Sequence, residues 1–392
     1  MKTVITNGTI ICPRALLHAQ NLVIENGKIT GITDHIPADC TVFDAAGQYV
    51  SPGFIDLHTH GAGGYDFMDG TAQAITGACL EHLRHGTTAI VPTTLTCPTD
   101  ELLHFFQLYR QVKKAWHQGP ALLGLHLEGP FLSPLQCGAQ DPRYLRPPTA
   151  EEYLPLLEAG GGDIIRVSLA PELDNALELG DQLKRRGILV SIGHSNASYD
   201  QVRQAVAHGF SHVTHLYSGM SALHRTGPYR VLGVVESAYL FDELSVEIIA
   251  DGTHLPPELL RLIVKCKDND KICLVTDSMR GAGLPDGQHS VLGSLKHGQD
   301  VLLQDGVAMM PDLSAFAGSV CTADRCIRTM YRLAGVPLCD AVRMMTCNPA
   351  RLLNISHQKG SIAVGQDADL AVFDDDIQVS AVFVGGEIRY RR

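Results

Sequence analysis

The sequence predicts an α/β fold, a (β/α)8 TIM barrel joined to a small β-sandwich domain built from both chain termini, and three observations carry that prediction. Between residue 51 and about residue 354, apolar strand-like runs alternate with helix-like segments, the pattern of parallel β/α units. Eight such runs can be counted: Gly53–Leu57, Thr88–Pro92, Leu122–Leu127, Ile164–Ala170, Ile188–Gly193, His212–His215, Ser245–Ile249 and Ile272–Thr276. Both chain ends instead carry short strand-like runs cut by turn residues. The expected division is therefore 1–50 for the first part of the β domain, 51–354 for the barrel and 355–392 for the second part.

Taken in order, turns at Asn7-Gly8, Glu25-Asn26-Gly27-Lys28 and Ala46-Gly47 separate strands Val4-Ile5, Thr9–Ile11, Asn21–Glu25, Lys28–Thr33 and Thr41–Asp44. Between barrel strands, Ala74–Arg84 reads as a helix ended by Gly86, and Ser198-Tyr199-Asp200-Gln201 as the capping box of a helix ending near Gly209. After the eighth strand, residues 281–316 hold Pro285-Asp286-Gly287 and Gln304-Asp305-Gly306 and predict a hairpin insertion, with helical periodicity resuming at Cys321–Leu333. Gly360–Ile362, Asp369–Phe373 and Ala381–Ile388 return to the strand pattern.

Composition narrows the function. The 392 residues carry 31 Lys and Arg against 42 Asp and Glu, a net charge of −11, without a long basic run. Such a surface repels nucleic acid and anionic lipid, so an anionic substrate would need a local cluster of donors. The N-terminal apolar run is too short for a signal peptide, and the chain holds no stretch of the ~18 apolar residues that a membrane span needs, so the expected location is the cytoplasm. Eleven Cys without a Cys-x-x-Cys pair read as reduced, mostly buried thiols.

The chemistry gathers at the strand ends. A strand turns successive side chains to opposite faces, so an apolar run ending His58-Thr59-His60 sends both imidazoles to one side. In a barrel that side is the lumen and the strand end is its catalytic mouth. Glu128 ends the third strand, His194 the fifth, His215 the sixth and Asp277 the eighth. Two carboxylates and four imidazoles converging at one mouth form a donor set for a divalent metal, with a carboxylate to move a proton. Asp163–Glu172, around the fourth strand, contains no Lys that could bridge two ions, which leaves Glu128 as the central ligand. Imidazole and carboxylate ligands suit Zn, Fe, Mn or Co alike, one or two ions per subunit.

The motifs Pro52-Gly53-Phe54-Ile55-Asp56, His126-Leu127-Glu128-Gly129-Pro130-Phe131, Gly193-His194-Ser195, Thr214-His215-Leu216-Tyr217, Ala250-Asp251-Gly252-Thr253-His254, Thr276-Asp277-Ser278-Met279, Ala317-Gly318-Ser319 and Asn348-Pro349-Ala350 span nearly the whole chain. In these the chain resembles the N-acetylglucosamine-6-phosphate deacetylases of the amidohydrolase superfamily. The resemblance implies that Glu128, His194 and His215 hold the principal metal, that Asp277 transfers the proton, and that His58 and His60 support a second ion. It also implies hydrolysis of an N-acetyl sugar phosphate to acetate and an amino-sugar phosphate, and a homodimer in which the His224–Arg230 loop reaches the partner's site. Gln140 stands where many relatives have a His thought to polarise the substrate carbonyl, and Ser218-Gly219 where many have Asn-Ala.

For the phosphate, the expected donors are the backbone N–H groups of Ser218 and Gly219, with Arg225, Arg230 and His254; Ala317 is expected beside the substrate. Alternative substrates are N-acetylgalactosamine 6-phosphate or another N-acyl compound. A barrel that had lost catalysis would be expected to lack a ligand, and none is missing.

Overall fold

In the computed structural model, which describes residues 2–287 and 289–392, the barrel strands are β1 (Phe54–Thr59), β2 (Thr87–Pro92), β3 (Leu125–Glu128), β4 (Ile164–Leu169), β5 (Leu189–Ile192), β6 (Phe210–Val213), β7 (Ser245–Ile249) and β8 (Ile272–Val275). Strands β1 and β2 pair in parallel, as do β3 through β8 in sequence. Parallel bridges Thr93 to His126 and Thr59 to Ser278 join the two arcs, and the Asp277 N–H donates to His58 O at 2.8 Å. The ring is thereby closed, with its catalytic mouth at the C-terminal strand ends.

Strand β6 starts at Phe210 and stops at Val213, short of the expected His215. The physical reason lies in the backbone: His194, His215 and Asp277 all take positive φ, at 45°, 27° and 44°. Non-glycine residues held there cost about 1–3 kcal/mol each, and the turn after the strand aims each side chain into the mouth.

Beneath the mouth the barrel interior is polar. Asp56, His58, His126, Arg166, Ser168, Ser191, His212, Thr214, Glu247 and Thr276 are all fully buried, where barrels usually stack branched aliphatic side chains. Outward-facing Val167, Val190, Val213 and Val246 instead join the large apolar cluster under the surrounding helices. Thr71 caps the Ala72–Arg84 helix, and the Ser198/Gln201 capping box opens Tyr199–Ala207.

Eight strands from the two chain ends form one continuous sheet. Lys2–Cys12 is a single strand interrupted between Ile5 and Ile10, where two separate short strands were expected, because the bulge at Asn7 shifts the register without ending the pairing. Tyr49–Pro52 pairs with Leu370–Phe373, and Gly53 N–H donates to Asp369 O at 2.8 Å, so the sheet anchors the entry to β1. Phe43 meets Phe383 edge-on at 5.0 Å although their strands are not neighbours, which shows the sheet curling around its own core.

The insertion after β8 is a three-stranded meander, His289–Leu292, Gln299–Gln304 and Val307–Met309, rather than one hairpin. Its first reversal falls at residues 293–298 and not at Pro285-Asp286-Gly287, while Asp305-Gly306 makes the second with both φ positive.

Candidate metal centre

Two groups of potential ligands lie side by side at the mouth, His58 with His60 and Asp277, and Glu128 with His194 and His215. Glu128 stands between them. Its Oε2 lies 3.4 Å from His58 Nε2 and 3.2 Å from His60 Nε2, and its Oε1 3.5 Å from His194 Nε2 and 3.2 Å from His215 Nε2. Asp277 Oδ1 closes the first group at 3.3 Å from His58 Nε2 and 3.2 Å from His60 Nε2.

The protons decide what this geometry can hold. His194 Nδ1 lies 2.9 Å from Gln136 O and His215 Nδ1 3.1 Å from Ser218 O. A carbonyl oxygen only accepts, so each Nδ1 carries the hydrogen and each neutral ring turns a bare Nε2 lone pair inward. Those two Nε2 atoms face one another at 3.2 Å. Two lone pairs at that distance repel unless a proton or a cation lies between them. Among the described residues, His58 Nε2 and Glu128 Oε1 are also buried without a hydrogen-bond partner. Residues and chemistry together fit a divalent cation.

The same electrostatics appear in the titration of the rings. Burial lowers the His58 and His60 pKa values, yet the surrounding carboxylates of Glu128 and Asp277, with Glu247 beside His58, raise the first well above its ordinary value and the second to about 9. Burial raises Glu128, but the charge of His58 beside it holds it well below the usual carboxylate range. The pocket is built to hold positive charge.

A cavity of about 260 Å³ opens onto both groups. His60, Glu128, His194, His215, Asp277, Gln140, Ser218, Gly219 and His254 all line it, with apolar walls from Leu95, Ile249, Leu292 and Phe316. A side chain at Gly219 (φ 55°) would place its Cβ 2.8 Å from His194 Nδ1, so the ring needs glycine there. His254 pairs with Asp251 at 2.7 Å and packs on Phe316 with ring centroids 4.2 Å apart.

Four of the expected substrate contacts are engaged elsewhere or lie outside the cavity of their own subunit. Gln140 spends its amide N–H on Glu128 Oε2 at 3.0 Å, not on the open cavity. Ala317 is buried behind the wall, its N–H bonded to Ala308 O, while its neighbours Phe316 and Gly318 face the cavity. Arg225 and Arg230 are exposed and do not line the cavity of their own subunit. They are directly opposed across the antiparallel hairpin His224–Thr226/Tyr229–Val231.

The amidohydrolase family profile matches residues 49–389. N-acetylglucosamine-6-phosphate deacetylase of Bacillus subtilis is 34% identical, over 94% of this chain and 92% of its own. The chain belongs to the amidohydrolase family. This amidohydrolase is also 31% identical to N-acetylgalactosamine-6-phosphate deacetylase of Escherichia coli O157:H7, over 95% of each chain. It superposes on the crystal structure of N-acetylglucosamine-6-phosphate deacetylase from Pasteurella multocida with a TM-score of 0.92 and 30% identity, over 100% of both chains.

Glu247 escaped the sequence reading although it sits at the centre. Its signal was a charged residue inside the apolar run Ser245–Ile249, on the lumen-facing parity of the strand; Arg166 in Ile164–Leu169 gave the same signal.

Proposed function

We propose that this amidohydrolase removes the acetyl group of N-acetylglucosamine 6-phosphate, releasing acetate and glucosamine 6-phosphate. The observation that carries this reading is Asp277 Oδ1 standing beside His58 and His60 at the wall of the same cavity that Glu128, His194 and His215 line. In it, Glu128, His194 and His215 hold one divalent ion, and His58, His60 and Asp277 a second. The bound ion supplies Lewis acidity, which brings the pKa of water toward ~7. Asp277 accepts the proton of the attacking water and returns it to the departing sugar nitrogen as the C–N bond breaks. Water is the nucleophile, so no Ser or Cys is required.

Ser218, Gly219 and His254 contact the phosphorylated sugar in this reading. Among the described residues, no Lys or Arg lines the cavity, so a dianion needs positive charge from elsewhere. The proposal supplies it from a cytoplasmic homodimer whose His224–Val231 hairpin enters the partner's mouth. Arg225 opposite Arg230 supports this, because like charges directly across a ladder repel unless an anion sits between them. Among the described residues, no helix is long and apolar enough to cross a membrane.

The similarity to the Escherichia coli O157:H7 protein keeps the galacto epimer as a second reading. Acetate release from N-acetylglucosamine 6-phosphate, N-acetylgalactosamine 6-phosphate and unphosphorylated N-acetylglucosamine, after reconstitution with Zn or Fe, separates these readings. Equal rates on phosphorylated and plain sugar would replace the proposal with a general N-acyl hydrolase.

A further inference from the structure

Glu247 sits on β7 with no exposure to solvent and touches both halves of the centre. Its Oε1 lies 2.6 Å from His58 Nδ1 and accepts the His215 backbone N–H at 3.0 Å; its Oε2 lies 2.6 Å from Arg166 Nη1 and 3.4 Å from His212 Nε2. Arg166 in turn donates to Leu57 O, Ser191 Oγ and Thr214 Oγ1, so the guanidinium is fixed in the barrel centre.

The two ligand groups differ in how their rings are held. His194 and His215 each rest Nδ1 on a backbone carbonyl, Gln136 O and Ser218 O. Among the described residues His60 Nδ1 is buried without a hydrogen-bond partner, so within them the His58–His60 pair has one ring anchor, the Glu247 carboxylate. We propose that Glu247 is a positioning residue that keeps the His58 ring protonated at Nδ1 and open at Nε2, and thereby sets the metal affinity of the His58–His60–Asp277 group separately from that of the Glu128–His194–His215 group. The inference rests on the metal reading above and concerns how the second ion is held.

Glu247→Gln tests the idea because a glutamine has one oxygen where two acceptors are needed. The charged Arg166 takes that oxygen, since a charge-assisted bond is the stronger. The NH2 then faces His58 Nδ1 and favours the ring form with hydrogen on Nε2, which cannot bind a metal. Outer partners of this kind typically change metal affinity about 10- to 100-fold.

The experiment is a Zn titration of the metal-free wild type and Glu247→Gln by calorimetry, with elemental analysis after desalting and the 15N spectrum of the Zn-loaded, histidine-labelled protein. The expected result is two Zn per chain in wild type, one retained in the variant with at most a small loss from the His215 N–H contact, the other weakened about 10- to 100-fold, and loss of the His58 Nδ1–H signal. Two Zn of unchanged affinity in the variant overturn the inference and leave the metal reading standing. Equal weakening of both sites overturns it in favour of a scaffold role. A wild type that holds no Zn overturns the metal reading, and this inference with it. If Glu247→Gln does not fold, Glu247→Asp keeps the charge opposite Arg166, is one methylene too short to reach His58 as well, and is read against the same outcomes.

Discussion

Gln140 donates its side-chain N–H to Glu128 Oε2 at 3.0 Å while its own oxygen accepts from the N–H and hydroxyl of Thr96 at 2.9 and 2.6 Å. The carboxylate between the two ligand groups is thus held by a neutral side chain that is itself held by the loop after β2. A hydrogen bond to a charged group contributes roughly 1.5–3 kcal/mol, and a buried donor left unpaired costs about 1–3 kcal/mol. Gln140→Leu removes the first and creates the second at Thr96. The expected loss is about 2–4 kcal/mol of unfolding free energy for the metal-free protein, read by urea denaturation. A change under about 0.5 kcal/mol would show that the bond to Glu128 contributes nothing.

Asp277→Asn keeps the size of the side chain and removes its capacity to carry a proton. Metal at the Glu128, His194 and His215 group should remain, because none of those ligands changes. Turnover should fall by about 10²–10⁴. Elemental analysis alongside kcat checks both halves; near wild-type kcat in the metal-loaded variant would remove Asp277 from the proton path.

How much of this was legible follows from what each signal depends on. The candidate ligands could be read because barrel topology brings His58, His60, Glu128, His194, His215 and Asp277 to one mouth, although the positive-φ turns that aim the last three are not strand parity. Gln140 and Ala317 could not be placed, since their orientation depends on which neighbour claims each polar group: Thr96 and Glu128 for one, the Ala308 backbone for the other. Glu247 and Arg166 were visible as charges in apolar strands, but their pairing joins β7 to β4 across the lumen, a contact that no local pattern encodes. The first strand of the insertion, His289–Leu292, was missed because the 293–298 reversal that pairs it carries no Asn-Gly or Asp-Gly pair.

Away from the centre, His85 follows the Ala72–Arg84 helix and lies 3.1 Å from Asp324 and 3.5 Å from Glu81, with Arg328 on the far side of Asp324 at 3.1 Å. Burial lowers the His85 pKa, but its hydrogen bonds to Asp324 and Glu81 and their charges raise it to about 9. The folded value lies above the unfolded value of about 6.5, so the folded state binds the proton more tightly. The resulting stability is fully present below about pH 6.5 and is lost as pH rises through about 9, on the order of 3 kcal/mol in all. Urea denaturation of the metal-free protein at pH 6.5 and pH 9.5 should show this decline in wild type and a flatter profile in His85→Asn. An identical pH slope in the two proteins would rule out His85 as its source.

The phosphate gives the sharpest test of the dimer proposal. Arg225 and Arg230 are opposed on the hairpin and lie outside their own cavity, so under that proposal their effect on catalysis would come through a second subunit. Arg presents a planar fork of donors suited to phosphate oxygens, and losing one charge-assisted contact should lower kcat/KM for the phosphorylated sugar about ten- to a hundredfold. The unphosphorylated sugar should be a poor substrate already and should change little in Arg225→Ala or Arg230→Ala. Mixing Arg225→Ala with Asp277→Asn discriminates further, because each variant alone is impaired for a different reason. If the hairpin crosses between subunits, a mixed dimer contains one mouth with an intact Asp277 and an intact partner Arg225, and its activity on the phosphorylated sugar recovers toward half that of a wild-type dimer. If each Arg acts in its own subunit, the Asp277→Asn chain wastes its arginine on a dead centre and mixing restores nothing. Light scattering that finds a monomer with full activity at nanomolar enzyme would overturn the dimer altogether.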